Sequence, residues 1–457
     1  MCVLSAWVAT VSGVILPLLM TQRVPLAAVG WVWLLAAVTV HPADWPQFRG
    51  PTGDGLATEA HPPVKWSPTQ NLAWKVAVPG RGRSSPVLLR ERIWLTTALE
   101  TNVRTFTEGP SQMQQAERVV LGVVCLEKST GRQLYYADVF SVTNPTAVNS
   151  LNSYATPSPV VVKGRLYCDF GTFGTACLEA DTGRVLWQRR FLLDHAHGPG
   201  SSPVLCGNLL VLVRDGRDQQ YVVALNKTTG ETVWKSNRPP LDTPVPEFRK
   251  SFSTPLVVEV EGHMQLFSSG AQWLVAYEPE TGKEIWRVND LKGESGAPRP
   301  VYGRGVIYFS TGVLNGRPQL WAVRANGHGD VTQSHVAWKL MALLGFMPSP
   351  LLVGSLLYLL NDEGFISCVD ADDGRVLGKA RLGGNYAASP VYADGHIYCC
   401  SREGKTTVLE AGPGLKVLAE NQLDGPVFAS PAFGGIAVYL RTDSHLYRVS
   451  SRSPAGD

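Results

Sequence analysis

The sequence predicts an all-β chain of eight four-stranded antiparallel sheets arranged as the blades of a propeller, with the ring closed by an N-terminal strand that completes the last blade. Three observations predict it. A Ser-Pro-like step followed by an apolar run recurs at Pro86, Pro159, Pro203, Pro255, Pro300, Pro350, Pro390 and Pro431. "LEADTGRVLWQRRF" at 178 returns as "ALNKTTGETVWK" at 224, "AYEPETGKEIWR" at 276 and "CVDADDGRVLGK" at 368. No stretch after residue 43 keeps a helical apolar period with capping signals. Self-similarity at roughly 40 to 50 residues marks propellers and solenoids.

Residues 1–43 stand apart as a signal peptide or N-terminal membrane anchor. If translation begins at Met20, "MTQR" is a short basic leader, 24–40 is the apolar stretch and Ala43 is the small residue at the cut. His41 departs from the small-x-small pattern, so an uncleaved anchor is the alternative. Either way the remainder is expected to be exported, to the periplasm or cell envelope. No Cys lies between 21 and 124, so a lipid-attachment cysteine is not expected after this signal. Residues 44–70 read as an extended lead-in, 71–450 as the repeats and 451–457 as a tail.

The eight prolines lie 40 to 52 residues apart except for a first gap of 73. That gap holds the polar "ETNVRTFTEGPSQMQQAER" at 100–118, read as a loop. Within a unit, "SPVLCG", "NLLVLVRDG", "YVVALNKTTG" and "ETVWKSN" give four short strands. The Thr-Gly or Asp-Gly step supplies the positive φ that a tight turn between third and fourth strands requires. "DADDG" at 370–374 is the same turn; it lacks the spacing and distal Glu of a calcium loop.

Four residues after the turn Gly comes a large ring at Trp187, Trp234 and Trp286, with Tyr135 in the first unit and Trp338 in a stretched fifth. Much of the total of 13 Trp is thereby assigned to packing between sheets, as a structural tryptophan belt. The last unit, "SPAFGGIAVYLRTDSHLYRVS", lacks its Trp strand, whereas "NLAWKVAVPG" at 71–80 carries Trp74 and has no unit of its own. The two halves balance if the N-terminal strand completes the last sheet, which removes exposed edges.

Units of the form Ser-Pro-Val…Gly-x-Leu-Tyr…Ala-Leu-x-x-x-Thr-Gly-x-x-x-Trp resemble the PQQ-like propeller repeat over about 71–450, and "DWPQFRGPTGDG" at 44–55 resembles the lead-in of exported proteins that carry it. The resemblance implies an eight-bladed propeller with tryptophan-docking contacts, and two functional classes. One is the quinoprotein alcohol or sugar dehydrogenases, with pyrroloquinoline quinone and calcium on the axis, an Asp base and a disulfide between adjacent cysteines. The other is BamB-like scaffolds of outer-membrane protein assembly, which lack the cofactor.

Cys399-Cys400 matches the adjacent pair of the dehydrogenases, yet it falls where the preceding unit has Leu359 and Leu360, inside a second strand whose neighbours point to opposite faces. Two buried thiols are expected there. Cys125, Cys177 and Cys368 occupy the third-strand position of Ala224, Ala276 and Ala322. Cys168 and Cys177 face the same hairpin, with their separation open. The chain has no Cys-x-x-Cys-His haem site, no Gly-rich phosphate loop and no His-x-x-x-His pair, and "DHAHG" at 194–198 reads as a linker. A net charge of +3 with interspersed signs gives no basic stripe for nucleic acid.

Function is expected at the loops that lead into the innermost strands. These place Arg81, Arg83, Asn152, Tyr154, His195, His197, Arg249, Lys250, Glu294, Arg299, Asn385, Tyr386, Asp424 and Phe428 around a central mouth, with Phe346 and Met347 beside it. The expected partner-binding funnel is basic at Arg81, Arg83, Arg249 and Arg299, which offer planar forks to an acidic or extended protein segment. The expectation is a monomeric, non-enzymatic scaffold with a protein or peptide partner, no metal and no cofactor, with membrane contact only through the N-terminal segment. The alternative is a dehydrogenase using the quinone with calcium.

Overall fold

A computed structural model describes residues 44–290, 296–312, 318–341 and 344–451. The leader, with Met20, His41 and Ala43, lies outside the described residues, as do Glu294 and the tail beyond residue 451. The described residues are all-β apart from two single-turn 3-10 segments, Gly171–Phe173 and Pro246–Arg249. Eight sheets carry four antiparallel strands each, and their first strands begin at Val87, Val160, Val204, Leu256, Val301, Leu351, Val391 and Ala432. Each start is the residue after one of the eight prolines, because Pro has no N–H to give a ladder and sits naturally at a strand's first position.

In seven sheets the four strands follow in chain order. The eighth supplies three strands and takes its fourth from β2 (Leu72–Ala77), which pairs antiparallel with His445–Ser450. Third and fourth strands shift register at Cys177/Leu178, Ala224/Leu225, Ala276/Tyr277 and Ala322/Val323, a repeated bulge that sharpens the twist beside each Thr-Gly-type turn. The small residue just before that shift faces the large ring: Ala224 is opposite Trp234, Ala276 opposite Trp286, and Cys177 opposite Trp187.

Four tryptophans join the second to fifth sheets each to the next. Trp187 donates its indole N–H to the Lys227 carbonyl at 3.1 Å, Trp234 to Pro279 at 2.9 Å, Trp286 to Ala325 at 2.9 Å and Trp338 to Ala371 at 3.1 Å. Every acceptor lies in the turn of the following sheet. The ring lies over the turn glycine, and a Cβ on Gly282 would come 2.4 Å from Trp234, so this position needs glycine for space as well as for its φ of +71°. Further buried links are ionic or polar: Arg214 meets Asp169 at 2.7 Å across the second and third sheets, and Arg238, paired with Asp215 of its own sheet at 2.7 Å, donates to the Ser268 carbonyl of the fourth at 2.9 Å.

Two segments differ from expectation. Residues 100–118 are not a loop: the strands of the first sheet run on to Thr101 and from Arg118, and Arg104–Glu108 and Ser111–Gln115 form a hairpin that pairs with Val148–Asn149. Polar cross-strand pairs such as Thr105 with Gln114 hide the strand pattern: the first strand is largely exposed, and the second buries the adjacent Met113 and Gln114, so neither shows apolar alternation. The lead-in is not a bare extended arm either. Trp45 exchanges backbone hydrogen bonds with Leu88, the Pro46 carbonyl accepts from Val161, and the Gly55 carbonyl accepts from Tyr392. Then β1 (Leu56–Ala57) adds in parallel to Val391–Ala393, and His61 donates to Gly435.

The cysteine expectation concerns faces. Cys399 packs with Tyr358 and Ile397, whereas Cys400 packs with Tyr398 and Val408 in a different cluster. Cys168 and Cys177 likewise belong to separate clusters on the two sides of their sheet. All seven described cysteines are free thiols.

Candidate functional site: a cavity where the innermost strands begin

A cavity of about 270 Å³ lies where the innermost strands start. Its wall includes Ser85, Ser158, Ser202, Thr254, Ser389 and Ser430, each the residue before one of the eight prolines and each from a different sheet. A residue before proline is held extended. Here its hydroxyl takes the backbone N–H of the preceding sheet's equivalent residue: Ser85 N donates to Ser158 Oγ, Ser158 N to Ser202 Oγ and Ser202 N to Thr254 Oγ1, each at 2.9 Å. The pattern resumes from Arg299 N to Ser349 Oγ and Ser349 N to Ser389 Oγ, both at 3.0 Å, and from Ser389 N to Ser430 Oγ at 2.9 Å.

The lead-in supplies the far wall. Phe48 lines the cavity, and its carbonyl accepts from Arg299 Nη1 at 2.9 Å. Arg49 Nη2 donates to the Pro350 carbonyl at 2.9 Å. The same segment touches innermost strands of the first, second and seventh sheets, so it crosses the space between them and closes one end of the cavity. Gly53 makes this approach possible, since a Cβ there would lie 2.2 Å from the Arg299 guanidinium. Burial lowers the Arg299 pKa to about 9 and the Arg49 pKa to about 10.

The funnel residues separate into two groups. Arg83, His197 and Phe428 line the cavity, together with Asn152, Phe346 and Met347. The Arg83 guanidinium lies 3.5 Å over the Phe428 ring and 3.7 Å from Asp443. Its pKa falls to about 10 through burial, opposed by Asp443, so it stays cationic at neutral pH. His197 stacks on Phe252 with ring centroids 6.2 Å apart, and burial lowers its pKa to about 4, leaving it neutral. Phe346 and Leu151 are 39% and 43% exposed, an apolar lip over a polar wall.

The other funnel residues are turned elsewhere. Arg299 is 2% exposed and holds the lead-in rather than the mouth. Tyr154 is buried against Phe173 and accepts the Ala116 N–H, and Tyr386 is buried in the core of the sixth and seventh sheets. Arg81 is tied to Gln114 and lies 4.0 Å from Glu100. Arg249 donates to the Thr243 carbonyl at 3.1 Å and lines a separate cleft with Arg238 and Pro240. Asn385 is exposed and bonded to Glu403 at 2.9 Å. His195 is buried, with Nδ1 accepting the Gly198 N–H at 3.2 Å, and burial lowers its pKa to about 4.

The hydroxyl wall and Phe48 are the functional features that sequence reasoning missed. The first had a signal: seven of the eight residues before the prolines are Ser or Thr, and only Arg299 breaks the series. Phe48 had none, because only the folded chain brings the lead-in to the innermost strands.

The sequence matches, over residues 121–376 and 362–453, the family described as outer membrane protein assembly factor BamB. BamB of Alkalilimnicola ehrlichii is 26% identical over 46% of this chain, and the chain spans half of that relative's length. Among solved structures, BamB from Moraxella catarrhalis superposes with a TM-score of 0.50 at 14% identity, covering 74% of this chain and 99% of that one. A europium-containing methanol dehydrogenase superposes with a TM-score of 0.59 at 12% identity, covering 88% and 89%. At these identities the structural likenesses show the β-propeller fold and nothing finer. With its repeats, its sheets and a family match that spans more than half of its length, the chain belongs to the PQQ-like β-propeller family of the outer membrane protein assembly factor BamB.

Proposed function

We propose that the eight sheets form one closed eight-bladed ring and that the chain is an exported, monomeric, non-enzymatic scaffold at the cell envelope, whose cavity takes a segment of a protein partner. Three contacts support closure: β2 pairs with the last strand, Trp74 on β2 donates to the Ser129 carbonyl in the first sheet's turn at 3.1 Å, and the first sheet's innermost strand lies against that of the eighth. The observation that carries the function is the cavity itself. It has an apolar lip, a wall of neutral polar groups around one buried cation, and one end closed by the chain's own lead-in.

The quinone with calcium does not suit this wall. Calcium is held by oxygen ligands that include carboxylates. Among the described residues the cavity lining contains neither Asp nor Glu, and no cluster of three His, Cys, Asp or Glu side chains able to hold a metal ion occurs. Cys399 and Cys400 lie on opposite sides of their strand, inside the sheets. Among the described residues no helix is long and apolar enough to cross a membrane. The proposed membrane contact is residues 1–43, on the strength of their apolar sequence.

The test places a photo-crosslinking amino acid at Leu151 or Phe346 on the lip, and at the exposed fourth-strand residues Val233 and Val417 as controls. An envelope protein captured from the lip positions alone is the expected result. Capture only from Val233 and Val417 would move the partner site off the cavity. Separately, titration with pyrroloquinoline quinone and calcium is expected to leave the absorption spectrum unchanged; tight stoichiometric uptake would reverse the non-enzymatic reading.

A further inference from the structure

The hydroxyl wall has a directional property. A hydroxyl has one proton to donate and two lone pairs to accept with. Ser158, Ser202, Thr254, Ser389 and Ser430 each accept a backbone N–H from the neighbouring sheet. Acceptance from the wall leaves each O–H proton available, and all five residues line the cavity. Their donors therefore surround one small space. Arg83 adds a guanidinium to it: the side chain is 5% exposed and stacked on Phe428, its Nε faces Asp443 at 3.7 Å, and its Nη1 makes no hydrogen bond. The lining offers no carboxylate among the described residues; Asp443, outside the lining, lies 3.7 Å from Arg83 Nε.

A buried cation with an unbonded Nη1 amid a surplus of O–H donors is a site with room for a further acceptor. A carboxylate supplies several lone pairs and matches the guanidinium fork. The lip adds a second requirement. Leu151, Phe252, Phe346 and Met347 line the cavity, Leu151 and Phe346 being exposed, so the ligand's body beside the charge is apolar. The closed floor at Phe48 adds a third: a chain can enter by its end but cannot pass through. At about 270 Å³ the space falls short of the range of about 300 to 1,000 Å³ common for drug-sized ligands, as suits a chain end.

We infer that the cavity is a receptor for the free C-terminal carboxylate of an extended partner chain ending in apolar residues, with Arg83 and the wall hydroxyls as donors. The inference rests on the cavity being the partner site.

The test uses the whole chain and a fluorescein-tagged hexapeptide ending in Ala-Leu, as the free acid or as the C-terminal amide, read by fluorescence anisotropy. The free acid is expected to bind roughly tenfold to a hundredfold tighter than the amide, in keeping with a charge-assisted hydrogen bond. Arg83→Gln should abolish that difference, and Arg83→Lys should restore part of it. Equal binding of acid and amide overturns carboxylate recognition and leaves the cavity as partner site, which lip crosslinking reports independently. No binding of either peptide also overturns the inference. Benzoate competing as effectively as the peptide would assign the site to small carboxylates instead. Should Arg83→Gln unfold, the acid and amide comparison on the unaltered chain decides alone.

Discussion

Trp74 donates its indole N–H to the Ser129 carbonyl at 3.1 Å, joining the strand that completes the eighth sheet to the turn of the first. The ring also lies on Gly131, where a Cβ would come 2.9 Å from it at a φ of +76°. Trp74→Ala removes the plate and its hydrogen bond at this junction, and is expected to cost about 2 to 4 kcal/mol in urea unfolding. Gly131→Ala should act in the same direction through the clash, whereas Gly207→Ala, with open space around its Cβ, should cost only its backbone strain. Equal losses for the two glycine variants would contradict the docking geometry.

Asp169 and Arg214 form a buried ion pair, each side chain 2% exposed, and Thr175 bonds to both. Removing one partner strands a charge in the interior. Asp169→Asn or Arg214→Met alone should destabilise by about 3 to 5 kcal/mol, and the double variant by less than the sum, as read by a double-mutant cycle.

Acid sensitivity follows from His195. Burial lowers its pKa from 6.5 to about 4, and its Nδ1 already accepts the Gly198 N–H, so a proton there displaces a hydrogen bond. The unfolded chain binds this proton more readily than the folded one. Stability from this group is therefore complete above pH 6.5 and is lost as the pH falls towards about 4. Melting temperatures across that window should fall, and His195→Gln should flatten part of the fall.

Thiol chemistry offers a fourth check. Burial raises the Cys400 and Cys125 pKa to about 12 and pushes Cys399 up as well, while Cys206 alone among the described cysteines is partly exposed. In the native protein a thiol reagent at pH 8 should label Cys206 slowly and the other six only after unfolding. Rapid native loss of the Cys399 and Cys400 thiols on mild oxidation would show that the pair can bridge.

Repetition made the sheets legible. Eight prolines and their following apolar runs locate eight innermost strands to the residue, and the orphan strand with Trp74 announces its pairing with the last sheet, because local turn chemistry and cross-strand size matching repeat at a fixed spacing. The hairpin at 104–115 was not legible, since its residues are mostly polar, one strand is exposed and the other buries adjacent residues, which leaves no apolar alternation. The site was legible only in part: Arg83, His197 and Phe428 reach the cavity from loops that sequence position identifies, whereas Arg299, Tyr154 and Tyr386 come from equivalent loops and turn inward.

By itself, then, the sequence determined the eight repeated four-stranded sheets, their order and the tryptophan contacts between consecutive ones, all of which depend on residues close together along the chain or on a repeated pattern. The tertiary structure alone decided which loop side chains face the central space, that the lead-in closes one end of it, and that serine hydroxyls present their donors there. Those outcomes depend on groups far apart in sequence, such as Phe48 and Arg299, meeting in a densely packed interior where one side chain's position excludes another's.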